Sequence, residues 1–351
     1  ASPTSSPIAT AATSPSSAPG PASLVHCTTA VPAGDNLVIG TVVGDPTVVV
    51  RDIQDPANAK NLCTIDSSAV SPQFVSPTAV AYETSDNQII QADLTSNTTA
   101  ILATFSPGFG SGQYAISPDG HSITYLEGNA WHVAGPSGNR VLSTLPAVPG
   151  RGVNPLEDDS FIGFSPDGQY AALFQTFHVG GSGETAPDQI RRVSDGKLVY
   201  STSGMTMAVW ASVPSRLFFR DTSGNVHRWD PNAGLSSMTS LHWIRPRSSP
   251  DGRWVSYTIR NPSSGIGSVG FYSVQSNSVQ ATTQAGRAGA TFLSNDLVWY
   301  GGEKTCTVNC GIQQVTPTGV TYIYSITSAS EVTSRLSAVY DAWPHQSAPG
   351  L

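Results

Sequence analysis

Three observations predict an all-β chain built as a closed ring of seven four-stranded antiparallel blades, a β-propeller, with six blades as the alternative count. The first is a turn that recurs as Ser117-Pro118-Asp119-Gly120, Ser165-Pro166-Asp167-Gly168 and Ser249-Pro250-Asp251-Gly252. The second is its spacing: Asp119 and Asp167 stand 48 positions apart, and Asp167 and Asp251 84, two units of 42. The third is the alternation that follows the turn. After the last copy, Val255, Tyr257 and Ile259 alternate with Ser256, Thr258 and Arg260, the period of a strand with one face buried. Units of this length with several strands each stack radially, and closing the ring removes exposed sheet edges.

The tetrapeptide has a physical reason at each position. Pro presets φ at the first turn residue, Asp can accept from the backbone beyond it, and Gly takes the left-handed conformation that returns the chain. Degenerate copies complete the series. Gly34-Asp35-Asn36 precedes Leu37-Val38-Ile39, and Val75-Ser76-Pro77-Thr78 precedes Ala79-Val80-Ala81-Tyr82. Ser212-Val213-Pro214-Ser215-Arg216 fills the double gap before Leu217-Phe218-Phe219, and Leu293-Ser294-Asn295-Asp296 precedes Leu297-Val298-Trp299-Tyr300. A second turn closes a later hairpin within each unit, as at Asp93–Asn97, Ser137–Asn139, Ser194–Gly196, Asp230–Gly234 and Thr316–Gly319. Each unit therefore reads as a meander of four short strands.

The run Phe164-Ser165-Pro166-Asp167-Gly168-Gln169-Tyr170-Ala171-Ala172-Leu173 resembles the repeat of TolB-like, WD40-like bacterial propellers, the PD40 type. The resemblance extends in a degrading series over roughly residues 24 to 327. It implies the propeller fold and, through an envelope protein-binding machine, a protein partner. TolB has an α/β domain before its propeller, and this sequence offers no counterpart.

The first 23 residues are Ala, Ser, Pro and Thr with one Ile and one Gly and no charge. Such a segment cannot bury enough apolar surface to offset its ordering entropy. Residues 1–23 are read as a flexible tether of the secreted kind, to a lipid or the cell wall, and 24–351 as a single propeller domain. A removed signal peptide, including one of the lipoprotein type, is compatible with a chain that starts at Ala1. No apolar run reaches the length of a membrane span. Lys+Arg 17 against Asp+Glu 24, with no basic run longer than Arg191-Arg192, leaves out the electrostatic footprint of nucleic-acid binding. Cys27 and Cys63 fall in the first unit and Cys306 and Cys310 in one loop of the last, so two local disulfides, Cys27–Cys63 and Cys306–Cys310, are expected over a zinc site, and with them an extracytoplasmic location.

No nucleophile elbow, metalloprotease helix motif or phosphate-binding loop is present, the seven histidines are scattered, and no cofactor or metal is predicted. The tryptophans are expected to pack between blades. In a four-stranded meander the first-to-second and third-to-fourth connections share one face of the ring. The irregular connections at 146–159, 178–189, 261–268 and 301–311 belong to the other. Long loops on a rigid scaffold carry binding. The polar groups available there are Arg151, Glu157, Asp158, Asp159, His178, Glu184, Asp188, Arg245, Arg247, Arg260, Glu303 and Lys304. The leading expectation is a non-catalytic secreted or surface-tethered propeller that binds a protein or glycan through this face. One alternative is a carbohydrate-active hydrolase or lyase with acid and base among Glu157, Asp158, Asp159, Glu184 and Asp188. Another is a structural envelope component.

Overall fold

The computed structural model describes residues 22–31, 36–54, 59–105, 114–145, 161–174, 187–211, 215–221, 223–238, 243–306 and 315–343. Every regular element among them is a strand. The chain opens with β1 (Val25–Cys27), β2 (Leu37–Val42), β3 (Asp45–Asp52) and β4 (Lys60–Ile65). Blade 2 holds β5 (Val70–Ser76), β6 (Ala79–Glu83), β7 (Gln88–Asp93) and β8 (Thr99–Thr104). Blade 3 holds β9 (Tyr114–Ile116), β10 (Ile123–Glu127), β11 (Ala130–Gly135) and β12 (Gly138–Thr144), and blade 4 β13 (Phe161–Phe164), β14 (Tyr170–Phe174), β15 (Asp188–Arg192) and β16 (Leu198–Thr202). Blade 5 holds β17 (Thr206–Ala211), β18 (Arg216–Arg220), β19 (Val226–Asp230) and β20 (Gly234–Ser237). Blade 6 holds β21 (Ile244–Ser248), β22 (Trp254–Arg260), β23 (Gly267–Ser273) and β24 (Ser278–Thr282), and blade 7 β25 (Arg287–Phe292), β26 (Leu297–Thr305), β27 (Val315–Ser325) and β28 (Ser330–Ser334). The last strand, β29 (Leu336–Trp343), pairs antiparallel with β2 and completes blade 1, giving seven blades.

Blade 1 thus takes its axial strand from one end of the chain and its other strands from the opposite end, in the order β29-β2-β3-β4, with β1 added outside β4. The strand that follows the degenerate copy near Asp35, Leu37–Val42, is the second of its blade, as are the strands that follow the three Ser-Pro-Asp-Gly turns. Cys27 lies opposite Cys63 in the β1–β4 pair and is disulfide-bonded to it. Cys306 is also disulfide-bonded, and Cys310 lies outside the described residues. The expected tether falls outside them as well, except Ala22 and Ser23; the Ser23 Oγ accepts from Val25 N at 3.1 Å.

The first strand of each blade lies nearest the axis, where successive first strands meet as β29 with β5, β9 with β13, β13 with β17, β17 with β21 and β21 with β25. Alternation along the strands fills the gaps between blades. Val209, Phe218, Val226, Trp243, Tyr257 and Tyr272 pack blade 5 on blade 6, and Phe174, Ile190, Trp210, Phe219 and Trp229 pack blade 4 on blade 5. Trp131, Trp210 and Trp243 are fully buried, as the expectation for tryptophan required. The indole of Trp131 donates to Thr124 Oγ1 at 2.7 Å, which removes the cost of burying its N–H.

The three Ser-Pro-Asp-Gly turns join β9 to β10, β13 to β14 and β21 to β22, always first strand to second, and so share one face of the ring. Their hydrogen bonds repeat. Ser117 Oγ donates to Asp119 Oδ1 (2.5 Å) and accepts from Ser122 N (2.8 Å), Asp119 Oδ1 accepts from His121 N (3.0 Å), and Gly120 N donates to Ser117 O (2.8 Å). Ser165, Asp167 and Tyr170 repeat this set, as do Ser249, Asp251 and Trp254. The motif is a polar knot closed mainly within its own blade, with the Asp251 amide also donating to Asn295 Oδ1 of blade 7 at 2.9 Å, which explains why it survives as a visible repeat.

Gly120 and Gly168 both sit at positive φ, +71° and +67°. A Cβ on Gly168 would meet only Pro118 Cδ at 3.9 Å, whereas one on Gly120 would lie 3.0 Å from the Val75 carbonyl oxygen. Gly168→Ala is expected to cost about 1–2 kcal/mol through backbone strain alone, and Gly120→Ala more than that; urea unfolding of the two variants measures the difference. An equal cost would remove the Val75 contact from the explanation.

A second expectation concerns acid. Asp93, at the turn after β7, accepts from the Thr95 hydroxyl (2.6 Å) and from the Thr95 and Ser96 amides, and these bonds pull its carboxyl from 3.8 to about 2. Folding therefore favours the charged form: its stabilisation is complete above the unfolded value of 3.8 and is lost as pH falls toward about 2. Asp93→Asn should flatten the pH dependence of unfolding in that window and leave it unchanged near neutrality.

Candidate functional site at the channel mouth

The axial strands of blades 5, 6 and 7 break their ladders near their first residues. Pairing jumps from Thr206 to Val209, from Ile244 to Arg247 and from Ala288 to Thr291. Within each jump one residue is left-handed: Met207 (φ 54°), Arg245 (φ 50°) and Gly289 (φ 70°). Blade 2 repeats the device at Ser71 (φ 49°). A bulge of this kind bends the strand and re-aims a side chain, at about 1–2 kcal/mol of strain for a residue with a Cβ. Here the bulges open the end of the channel. Arg245 N donates to Met207 Sδ at 3.1 Å, so each bulge is held by its neighbour, and Gly289 N donates to Thr258 Oγ1 at 3.1 Å.

The bulges border a cavity of about 680 Å³, lined by Met207, Ile244, Arg245 and Thr258, by Arg260 and Gly265, by Ala288, Gly289, Gly301, Gly302 and Glu303, and by Val315, Thr316 and Pro317. It lies at the ends of β22 and β26, on the face of the second-to-third connections. Glu303 is its fixed point. Its carboxylate, 8 % exposed, accepts from Arg260 Nη1 and from Gly267 N, and Arg260 Nη1 also donates to Gly265 O at 3.1 Å. Gly267 must be glycine for this to form, because a Cβ there would lie 2.8 Å from Glu303 Oε1 and from Arg287 O. Gly302 is constrained in the same way by Thr318 Oγ1 at 2.5 Å.

The charge that remains available is positive. Arg245 is exposed in the cavity, while Arg260 is committed to Glu303. Two residues along β21 from Arg245, Arg247 is held down to about 10 by burial and by repulsion from Arg245. Lys304 is exposed beside Glu303 in sequence. Of the twelve residues expected on the loop face, the structure brings Arg245, Arg260 and Glu303 together in the cavity, with Arg247 and Lys304 adjacent in sequence to it. Asp188 is elsewhere: it is fully buried in blade 4 and accepts from Met205 N at 2.9 Å, so it presents no carboxylate to solvent. Arg151, Glu157, Asp158, Asp159, His178 and Glu184 lie outside the described residues. Among the described residues no three His, Cys, Asp or Glu side chains converge as metal ligands.

Sequence reasoning missed Met207, Thr258 and Gly289. A left-handed methionine leaves no mark on the sequence. The paired Gly301-Gly302 in a strand was the available signal of a close approach.

No family model and no curated protein matches the sequence. Solved structures do match in shape. An oligogalacturonate lyase from Vibrio parahaemolyticus superposes with a TM-score of 0.55 at 8% identity over 85% of this chain and 84% of that one. The dihydro-heme d1 dehydrogenase NirN superposes with a TM-score of 0.51 at 14% identity over 90% and 77%. A puromycin-hydrolyzing peptidase of Mycobacterium tuberculosis gives 0.54 at 12% identity over 89% of this chain and 55% of that one, so the chain spans about half of the peptidase. At such identities the likeness establishes the fold alone, a seven-bladed propeller. The three are enzymes, which counts against the leading expectation of a non-catalytic binding propeller and favours its carbohydrate-active alternative.

The Glu303 cluster makes its own prediction. Glu303→Ala leaves Arg260 and the Gly267 N–H without their acceptor and should lower stability by about 2–4 kcal/mol, whereas Glu303→Gln keeps an acceptor and should cost less than half of that. Guanidinium unfolding of both variants is the measurement. Near-equal losses would mean that packing volume, rather than the two accepted bonds, holds the cluster.

Proposed function

We propose that this chain is a carbohydrate-active propeller, a lyase that cleaves an acidic oligosaccharide at the channel mouth. The observation that carries the reading is the charge arrangement of the cavity: an exposed guanidinium, Arg245, facing a space of about 680 Å³ whose one described carboxylate, Glu303, is already engaged. Hydrolysis of a glycosidic bond uses two carboxyl groups across the scissile linkage. β-Elimination needs something else: a cation on the uronate carboxylate, a base for the neighbouring proton, and room for the leaving sugar.

In this reading Arg245 pairs with the uronate carboxylate and stabilises the charge that develops there as the α C–H bond breaks. The proton passes to hydroxide from the solvent at the open mouth, because Glu303, the one carboxylate described in the lining, is engaged by Arg260 and the Gly267 amide. The electron pair forms the ring double bond, the glycosidic C–O bond at the β carbon breaks, and water returns a proton to the leaving oxygen. Fold likeness to an oligogalacturonate lyase supports the substrate class. The repeated Ser-Pro-Asp-Gly knot supports a TolB-like, PD40-type repeat, with Phe164–Leu173 its fullest copy. A disulfide between Cys27 and Cys63, and no described helix long and apolar enough to cross a membrane, support an extracytoplasmic site of action.

Incubation with oligogalacturonate, followed by ultraviolet absorbance of the unsaturated product, tests the reaction. We expect kcat/KM to rise with pH, because the proton is taken by hydroxide. Arg245→Met should lower kcat by roughly 100-fold or more. Release of reducing ends without an unsaturated product would assign hydrolysis instead, and no turnover on any uronate polymer would remove the lyase reading.

A further inference from the structure

A second cavity, of about 520 Å³, lies away from the channel at the rim of the ring, in the cleft between the outer parts of blades 5 and 6. Arg228, Ser236, Ser237 and Met238 line it from blade 5, and Tyr272, Asn277, Ser278 and Val279 from blade 6. Arg228 is the reason it matters. Along β19, Val226, Arg228 and Asp230 alternate with His227 and Trp229, and Val226 belongs to the core between blades 5 and 6, so Arg228 is on the side that faces blade 6. Its Nε is fully buried without a hydrogen-bond partner, and its guanidinium makes no ion pair among the described residues. The acid two residues on, Asp230, is taken by Arg216 Nε at 3.3 Å and by the amides of Asn232 and Ala233. A buried donor left unsatisfied is costly, and an arginine edge is matched in shape by a planar oxyanion.

The rest of the lining describes what carries that anion. Ser236, opposite Arg228 in the β19–β20 pair, and an asparagine amide stand with the one cation, while the Ser237 hydroxyl is shared with His227 Nδ1 at 3.3 Å and that of Ser278 accepts from Gln280 Nε2 at 2.6 Å. The Tyr272 hydroxyl, raised to about 12 by burial, donates to Asn277 Oδ1, so the Asn277 side-chain amide keeps its N–H groups for another partner. Val279, 41 % exposed, and Met238 supply an apolar strip. One negative charge, several hydroxyls and an apolar face are the attributes of a sugar ring bearing a carboxylate. The volume is within the range of small-ligand sites.

We propose that this rim cleft is a binding site for a carboxylated sugar, with Arg228 pairing bidentately with the carboxylate and Ser236 and Asn277 contacting ring hydroxyls. The site is separate from the channel cavity and does not depend on what that cavity catalyses. On a long acidic polymer it would hold the chain beside the ring while another stretch occupies the channel mouth.

The methionines make the test direct. The chain has three, Met205, Met207 and Met238; Met207 lines the channel cavity and Met238 the rim cleft. In protein labelled with carbon-13 at the methionine methyls, titration with digalacturonate should shift the Met238 signal, and the neutral galactose disaccharide should not. Arg228→Met adds a methionine, so Arg228→Gln is the variant of choice: it should raise the apparent Kd read at Met238 about tenfold or more, while its Met205 and Met207 signals before ligand is added match those of the unsubstituted protein and report an intact fold. Arg228→Lys, which keeps the charge without the planar edge, should weaken binding as well. An unmoved Met238 at saturating digalacturonate would overturn the site, as would a shift of the same affinity in Arg228→Gln. A response to a sulfated sugar but not to the uronate would overturn the carboxylate assignment. A Met207 shift reports the channel reading separately, so either proposal can fail alone.

Discussion

Blade 1 is made from both ends of the chain, and every other feature of the ring depends on that pairing. β29 lies against β2 in a register that sets Trp343 opposite Leu37, Ala342 opposite Val38 and Asp341 opposite Ile39. Each blade has an apolar face on both sides, so a missing strand at the seam would expose two blades at once. The seam is correspondingly dry: Val38, Leu293, Ile323, Leu336 and Ala342 form one cluster there. Asp341 adds a polar lock, its carboxylate accepting from Phe74 N at 2.6 Å in the next blade. The extra strand β1, disulfide-bonded through Cys27 to Cys63, covers the outer edge of this same blade. The blade carrying the closure is therefore the one whose edge is protected, which is how sheets avoid edge-to-edge association.

Closure also determines where function can reside. A ring with fixed circumference holds seven axial strands at a fixed separation, and space at the axis can be made only by deforming those strands. The chain does this with bulges at Met207, Arg245 and Gly289, and then needs glycine wherever the deformed strands approach a neighbour. Gly267 lets Glu303 reach its amide, Gly286 at φ +83° accepts from Glu303 N at 3.0 Å, and Gly302 clears Thr318. The left-handed strain is placed where bound ligand, rather than packing, would benefit.

The repeat was legible in the sequence because its turns are largely self-contained. Ser117, Asp119 and Gly120 satisfy each other, so selection on the fold acts on the tetrapeptide itself, and the copy at Ser249–Gly252 has the same bonds as that at Ser165–Gly168. The seven-strand count at the axis was legible through the hidden copies near Ser215 and Asp296. Ring closure was not, since nothing local in Leu336–Trp343 says that its partner is Leu37–Val42. The site was legible only in its charged members. Arg245, Arg260 and Glu303 stand out as polar groups beside irregular loops, but their convergence comes from bulges at residues of no special type. Asp188 shows the converse: a carboxylate beside a long connection that the backbone of Met205 claims for itself.

The distribution of charge around the axis gives the ring a direction that its net charge of −7 conceals. On blades 1 and 2, the buried carboxyl groups of Asp341 and Glu83 lie close enough to Tyr114, together with burial, to push its phenol well above the usual range. On blade 6 the axial strand carries Arg245, exposed in the cavity, and Arg247, while Arg260 at the end of the second strand is paired with Glu303. On the lyase reading, an anion entering beside blade 6 would meet the Arg245 guanidinium, and in a cleft with low-dielectric walls that attraction is focused rather than screened. Position along the ring is thereby set before any hydrogen bond forms. A neutral sugar would feel no such bias, so the asymmetry itself discriminates between acidic and neutral ligands, independently of the chemistry that follows.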